Sequence, residues 1–119
     1  MGAANRCQRV SVEVRTETAD GHGGYTDTWA VRHRRWSARV RPLAGRDLER
    51  ARQIDPRISH EVEFGYWRAY RDDLDGGRVR LVYHATSEAT DDRTLEVVAP
   101  PIDVEERHED VIVLCREAA

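Results

Sequence analysis

Between Trp36 and Gln53 the spacing of apolar residues changes from one period to another, and that change limits what the chain can fold into. Up to Pro42 the residues alternate. Trp36, Ala38 and Val40 fall on one side and Ser37, Arg39 and Arg41 on the other, the pattern of a half-buried β-strand. Pro42 ends that strand. After the break Pro42-Leu43-Ala44-Gly45 the spacing turns helical, with Leu48, Ala51 and Arg52 at i, i+3 and i+4 and acidic Asp47 and Glu49 suited to a first turn. Pro56 disfavours the helical region for Asp55 and so limits the helix to one or two turns. A strand feeding a proline-bounded, arginine-rich loop is unusual inside a compact β domain, and loops of this length tend to carry function.

The remainder of the chain reads as short strands and turns. Gln8 to Thr16 places Val10, Val12 and Val14 inward and Ser11, Glu13 and Arg15 outward. Asp20-Gly21 and Gly23-Gly24 mark a hairpin turn, because glycine accepts positive φ. Tyr25 to Val31, which holds Trp29, is a ragged second strand, and Arg32-His33-Arg34-Arg35 reads as a solvated edge or bend leading into the strand that starts at Trp36. Ser59 to Tyr66, with Val62, Phe64 and Tyr66 on one face, is expected to be the best-buried strand, with Gly65 marking a bulge or a close backbone approach. Trp67 to Asp73 reads as a polar crossover and Asp75-Gly76-Gly77 as a turn. Strands follow at Arg78 to Tyr83 and Thr94 to Ala99, separated by a polar loop over Ala85 to Asp92; Pro100-Pro101 ends the second of them. Ile102 to Glu109 is acidic and irregular. Asp110 to Arg116 is apolar on both faces, so it should be covered on both, with another subunit as a source of the second cover.

Six or seven short strands, close-set turns and one brief helix predict an all-β domain, a small β-barrel or sandwich in which residues 43–58 form a long projecting loop carrying the helix. With 119 residues the chain suits a single domain spanning residues 1–119. All 19 basic residues are arginine, in a chain of net charge -3. A GC-rich coding bias explains that skew, and bidentate pairing with carboxylates across subunit boundaries is its functional reading. A domain built to grip phosphates would be basic overall. Met1 to Arg9 has no apolar stretch and no run approaches the ~20 apolar residues of a membrane span, so the chain reads as soluble and made in the cytoplasm. Cys7 and Cys115 are expected as free thiols.

Signals of chemistry are sparse. His22, His33, His60, His84 and His108 are too scattered for a ligand set, and the cysteines match no zinc spacing, so neither metal nor cofactor is expected. The glycines at 21 to 24 precede a strand, not a helix, and so lack a phosphate cradle. Asp72-Asp73 and Asp91-Asp92 read as solvated turn residues, and no Ser, Thr or Cys shows a nucleophile setting. Nothing here asks for an enzyme.

The P-L-x-G-R-D segment at Pro42, Leu43, Gly45, Arg46 and Asp47, followed by Ala51 and Gln53, resembles the head-closure, or head-tail joining, proteins of tailed bacteriophages. Agreement in order extends from Arg9-Val10-Ser11-Val12 through Asp20-Gly21, Gly23-Gly24 and Trp29, then His60, Val62 and Tyr66, Arg78 to Tyr83 and Leu95-Glu96-Val97, to Leu114-Cys115-Arg116-Glu117. The chain departs from the family pattern at Ser37, where a tryptophan is usual, at Gly65, where an arginine is common, and in a long insertion after Tyr83. The resemblance implies a β-barrel core and a structural protein of the virion neck, made in the host cytoplasm. It implies a homo-oligomeric ring, expected to be dodecameric, beneath the portal and adaptor and above a tail-completion or tail-terminator protein, closing the DNA channel after packaging. In such a ring Arg46, Arg50, Arg52 and Arg57 of the loop are the candidates to meet packaged double-stranded DNA or neighbouring acids, and Pro42, Gly45 and Pro56 are its hinge and boundaries. Two other readings are a different neck component, such as a tail-completion or tail-terminator protein, and a nucleic-acid-binding β-barrel using Trp29, Trp36 and Trp67 as stacking rings.

Overall fold

Val10 and Val12 are fully buried and Val14 packs beside them, as their alternation requires, and the strand that carries them joins two neighbours at once. The computed structural model describes residues 8–74 and 78–117, so Cys7 and the Asp75-Gly76-Gly77 turn lie outside the described residues. Its strands are β1 (Gln8–Ala19), β2 (Tyr25–Pro42), β3 (His60–Gly65), β4 (Val79–His84), β5 (Asp92–Val97), β6 (Ile102–Asp103) and β7 (Asp110–Glu117). Two helices, α1 (Gly45–Ile54) and α2 (Tyr70–Asp73), interrupt them. The strand order is β3-β2-β1-β4-β5-β7-β6, every pairing is antiparallel, and the additional pairing of β3 with β7 closes six strands into a barrel. β6 adds a short rung at Ile102↔Ile112 and Asp103↔Val111. The expected all-β barrel is therefore the observed fold.

β3 lies between β2 and β7, which explains the complete burial of Val62 and Phe64. Gly65, read as a bulge or a close approach, pairs with Asp110 in unbroken register. β2 is one continuous strand where two segments and a bend were expected. The bend survives as two successive one-residue offsets against β1, beside Val12, with Arg35 at φ 50. The Arg35 amide donates to the Ser11 hydroxyl at 3.0 Å, so Ser11 lies inside the barrel wall and not on the outward face its alternation suggested.

Two further expectations change. Trp67 to Asp73 is not a polar crossover: Tyr70 and Leu74 are buried and Trp67 packs against the main core. Amides of Tyr70, Asp73 and Leu74 bond back to Trp67, Ala69 and Tyr70, a helical turn that brings Trp67, Tyr70 and Leu74 to one side. The second face of β7 is covered from within the chain and needs no other subunit: Leu114 packs with Leu43, Ala51, Ile58 and Ala99 in a small cluster under α1.

Beyond Val14 the hairpin of β1 and β2 leaves the barrel. β4 pairs with β1 only from Arg9 to Val14, and β3 with β2 only from Ala38 to Pro42. From Thr16 to Ala19 and from Tyr25 to Thr28 the two strands pair, among the described residues, only with each other. The turn at their tip is the expected one, with Gly21 at φ 82, Gly23 at φ 85, and the Asp20 carboxylate accepting the amides of His22 (2.7 Å) and Gly24 (3.1 Å).

Candidate functional site

The loop from Leu43 to Ile58 is tied down at both feet. Leu43 and Ile58 are buried, the Leu43 amide donates to the Ser59 carbonyl at 2.9 Å, and Pro42 pairs with His60 at the end of β2. Between the feet, Gly45 adopts φ 57, a left-handed conformation that turns the chain into α1, and a Cβ there would meet no atom within 4 Å. α1 runs ten residues, twice the span its apolar spacing marked, and stops at Asp55 ahead of Pro56 as expected. Of Leu48, Ala51 and Ile54, only Ala51 is buried; Leu48 is half-buried and Ile54 is 62% exposed.

Arg46, Arg50, Arg52 and Arg57 are all exposed on this loop. They are not equivalent. Arg57 is held by Asp55, with Nη2 at 2.8 Å and Nε at 3.0 Å from its carboxylate oxygens, and hydrogen bonds from the Arg57 side chain and amide pull that carboxyl down to about 2. Arg46, Arg50 and Arg52 make no ion pair among the described residues. Arg50 stands on the rim of a groove of about 200 Å³ between α1 and the barrel, floored by Leu43, Ala51, Ile54 and Leu114. Arg41 also lines the groove, donating to Asp47 at 3.2 Å and Glu61 at 3.1 Å.

A second cluster, which sequence reasoning missed, joins two charged stretches read as solvated. Asp73 is buried, and its carboxylate accepts from His33 Nε2 (2.7 Å), Trp67 Nε1 (2.8 Å) and Arg32 Nη1 (3.1 Å). His33 stacks on Trp36 with ring centroids 3.7 Å apart, and Trp67 meets Trp36 and Phe64 edge-on. Burial alone would raise the Asp73 pKa, but the hydrogen bonds from His33 and Trp67 and the nearby His33 and Arg32 charges outweigh it and hold the group below its ordinary 3.8. Stability from this carboxylate is complete above 3.8 and is lost as pH falls through the lowered value. Asp73→Asn is expected to cost about 2–3 kcal/mol near neutral pH, the worth of hydrogen bonds to a buried charge. Thermal melts should show variant and wild type converging in acid; a constant gap at every pH would assign the loss to shape and not to charge. The signal available in the sequence was the helical spacing of Trp67, Tyr70 and Leu74, which places Asp73 beside apolar neighbours.

Ser11, His84 and Asp92 form a third arrangement that no sequence pattern suggested. The Ser11 hydroxyl lies 2.7 Å from His84 Nε2, and His84 Nδ1 lies 3.0 Å from the Asp92 carboxylate. The order is that of a nucleophile, base and orienting acid. Its setting is structural: Ser11 is 4% exposed, its oxygen already accepts the Arg35 amide, and the three residues stitch β1, β4 and β5 together where β2 bulges. Cys115 is a free thiol whose pKa burial pushes up, which leaves it inert. Among the described residues no group of three or more His, Cys, Asp and Glu side chains could hold a metal, and no helix is long and apolar enough to cross a membrane.

Comparison with solved structures places the fold beside the solution structure of protein SF1141 from Shigella flexneri 2a. The two share 21% identity at a TM-score of 0.69, over 100% of this chain and 98% of that one. No curated protein matches the sequence. The family model described as phage head completion protein matches residues 1–118, the motif-bearing loop and every strand of the barrel included, and the chain belongs to that family.

Proposed function

We propose that this chain is the stopper of a phage neck: copies of it form a ring, expected to be dodecameric, beneath the portal and adaptor, close the DNA channel after packaging, and offer a platform to a tail-completion or tail-terminator protein. Membership in the head completion family supports a virion role without enzymatic chemistry. The observation that carries the finer reading is the loop from Leu43 to Ile58. Its feet and Ala51 rest on the barrel while four arginines face outward, bracketed by Pro42 and Pro56 and turned by Gly45. Such an element can swing without opening the main core, because the cluster beneath it is separate from the barrel interior. Arg46 and Arg52 are the residues offered to packaged DNA, with Arg57 restrained by Asp55.

The nucleic-acid-binding alternative loses two of its rings, since Trp36 and Trp67 pack against each other, His33 and Phe64. A tail-completion role shares the same ring requirements and differs in its neighbours. Sedimentation decides the assembly. The isolated chain is expected to be monomeric or weakly associated and to form a ring only when mixed with the portal-adaptor complex, since small lateral interfaces gain from being templated. No association with that complex would rule out the neck assignment.

A further inference from the structure

The arm formed by the β1–β2 hairpin reverses the polarity of the barrel it grows from. On the face continuous with the core, the inward series Val10, Val12, Val14 gives way to Thr16 and Thr18, opposite Thr28 and Thr26, and the hydroxyls of Thr16 and Thr28 bond at 2.8 Å. The opposite face, which points away from the core, carries Tyr25 (73% exposed), Trp29 (39%) and Val31 (43%), three of the five large apolar side chains most exposed among the described residues. Between Tyr25 and Trp29 on that face, Glu17 stands directly opposite Asp27. Like charges in register across a ribbon destabilise it, and Arg15 relieves Asp27 only at 3.9 Å. Arg80 covers the Trp29 ring at 4.3 Å, so the part of this face left open is Tyr25 with the acidic pair beside it, toward the outer end of the arm.

The same molecule carries the complement of that surface. The α1 groove has an apolar floor that includes Ile54, a fourth of those exposed apolar side chains, and its rim carries Arg50, with Arg46 one helical turn away. Around the groove Arg41, Arg46, Arg50 and Arg52 against Asp47, Glu49 and Glu61 leave a charge of +1, Arg41 being shared between Asp47 and Glu61; Glu17 and Asp20 leave -2 on the arm, since Asp27 is paired with Arg15. We infer that the arm of one copy docks into the α1 groove of the next, seating Tyr25 against Ile54 and Leu43 and bringing Glu17 to Arg50. The two surfaces differ, so the contact is head to tail, the kind that closes into a ring. This inference rests on the ring proposed above, and it gives Arg50 a protein partner in place of DNA.

The test measures ring formation by the full chain on the portal-adaptor complex without DNA, as the concentration giving half-occupancy, for wild type, Tyr25→Ala, Glu17→Arg, Arg50→Glu and the double variant Glu17→Arg/Arg50→Glu. All the substituted side chains are exposed, and melting curves verify that each variant folds. Each single change is expected to raise the half-occupancy concentration at least about tenfold, the effect of losing one interface anchor, and the double reversal to return it to within about threefold of wild type. A ring that forms equally well with the single variants, or a double reversal that restores nothing, overturns the docking and leaves the ring standing. Weakened DNA binding by Arg50→Glu with unchanged assembly overturns it too, assigning that arginine to phosphate. Absence of any ring with wild type removes the ring reading itself, and the docking with it.

Discussion

Phe64→Ala is expected to destabilise the barrel by about 3–5 kcal/mol, the range for truncating a fully buried aromatic side chain. Phe64 has no exposed surface, sits on β3 between Ala38 of β2 and Val111 of β7, and meets the Trp67 ring edge-on at 5.5 Å. Little around it can collapse into the space, because its neighbours belong to a closed ring of strands whose backbone spacing is set by hydrogen bonds. The loss should also loosen α2, since Trp67 and Tyr70 pack on the same cluster. Arg50→Ala, on the exposed side of α1, is the control and should change stability by no more than about 0.5 kcal/mol. Urea unfolding of both variants provides the measurement. Equal losses would mean that the core is centred elsewhere.

The second large effect concerns the channel. Replacing residues 45–55 by a glycine-serine link, with Leu43 and Ile58 retained, should leave the barrel folded and the ring assembling on its platform at higher concentration. Closing a loop depends only weakly on its length, and the main core lies elsewhere. Removing the whole stretch from Leu43 to Ile58 would be harsher, because it strips the cover from Leu114 and Ala99. Particles carrying the shorter replacement are expected to package DNA and then lose most of it before a tail attaches. Amide exchange in the free wild-type subunit should be fast along α1 and slow in β3. DNA retention equal to wild type would show that the loop is no plug, leaving an adaptor ring without a gate.

Much of this architecture is legible in the residues alone because its signals are local. Alternation marks β1, β3, β4 and β5; Asp20 with Gly21 and Gly23 marks the hairpin tip; Pro56 marks the end of α1. The switch from valine to threonine between Val14 and Thr16 even marks where the core stops, for threonine keeps the β preference of valine and gives up its apolar face. That switch is a readable sign that the hairpin would leave the barrel, and Tyr25, Trp29 and Val31 at alternate positions say which of its faces is apolar.

What the sequence determined by itself is therefore the kind of most elements and some of their limits: the strands, the proline-bounded stop of α1, and a polarity that assigns most strand faces, but neither the unbroken length of β2 nor the helical turn of α2. Tertiary structure decided which faces meet. Closure by β3 and β7 joins segments about 50 residues apart, and no local period encodes a pairing over that distance. Asp73 looked like a solvated turn residue until α2 carried it beneath His33 and Trp67, where three donors outweigh the cost of burying its charge. Leu114 looked like a surface awaiting another subunit until α1 folded over it, whereas on the arm Arg80 covers Trp29 and leaves Tyr25 exposed. An alternating pattern states that a face is apolar; only the packed chain shows whether that face has been buried, because burial is a relation between surfaces and not a property of either one.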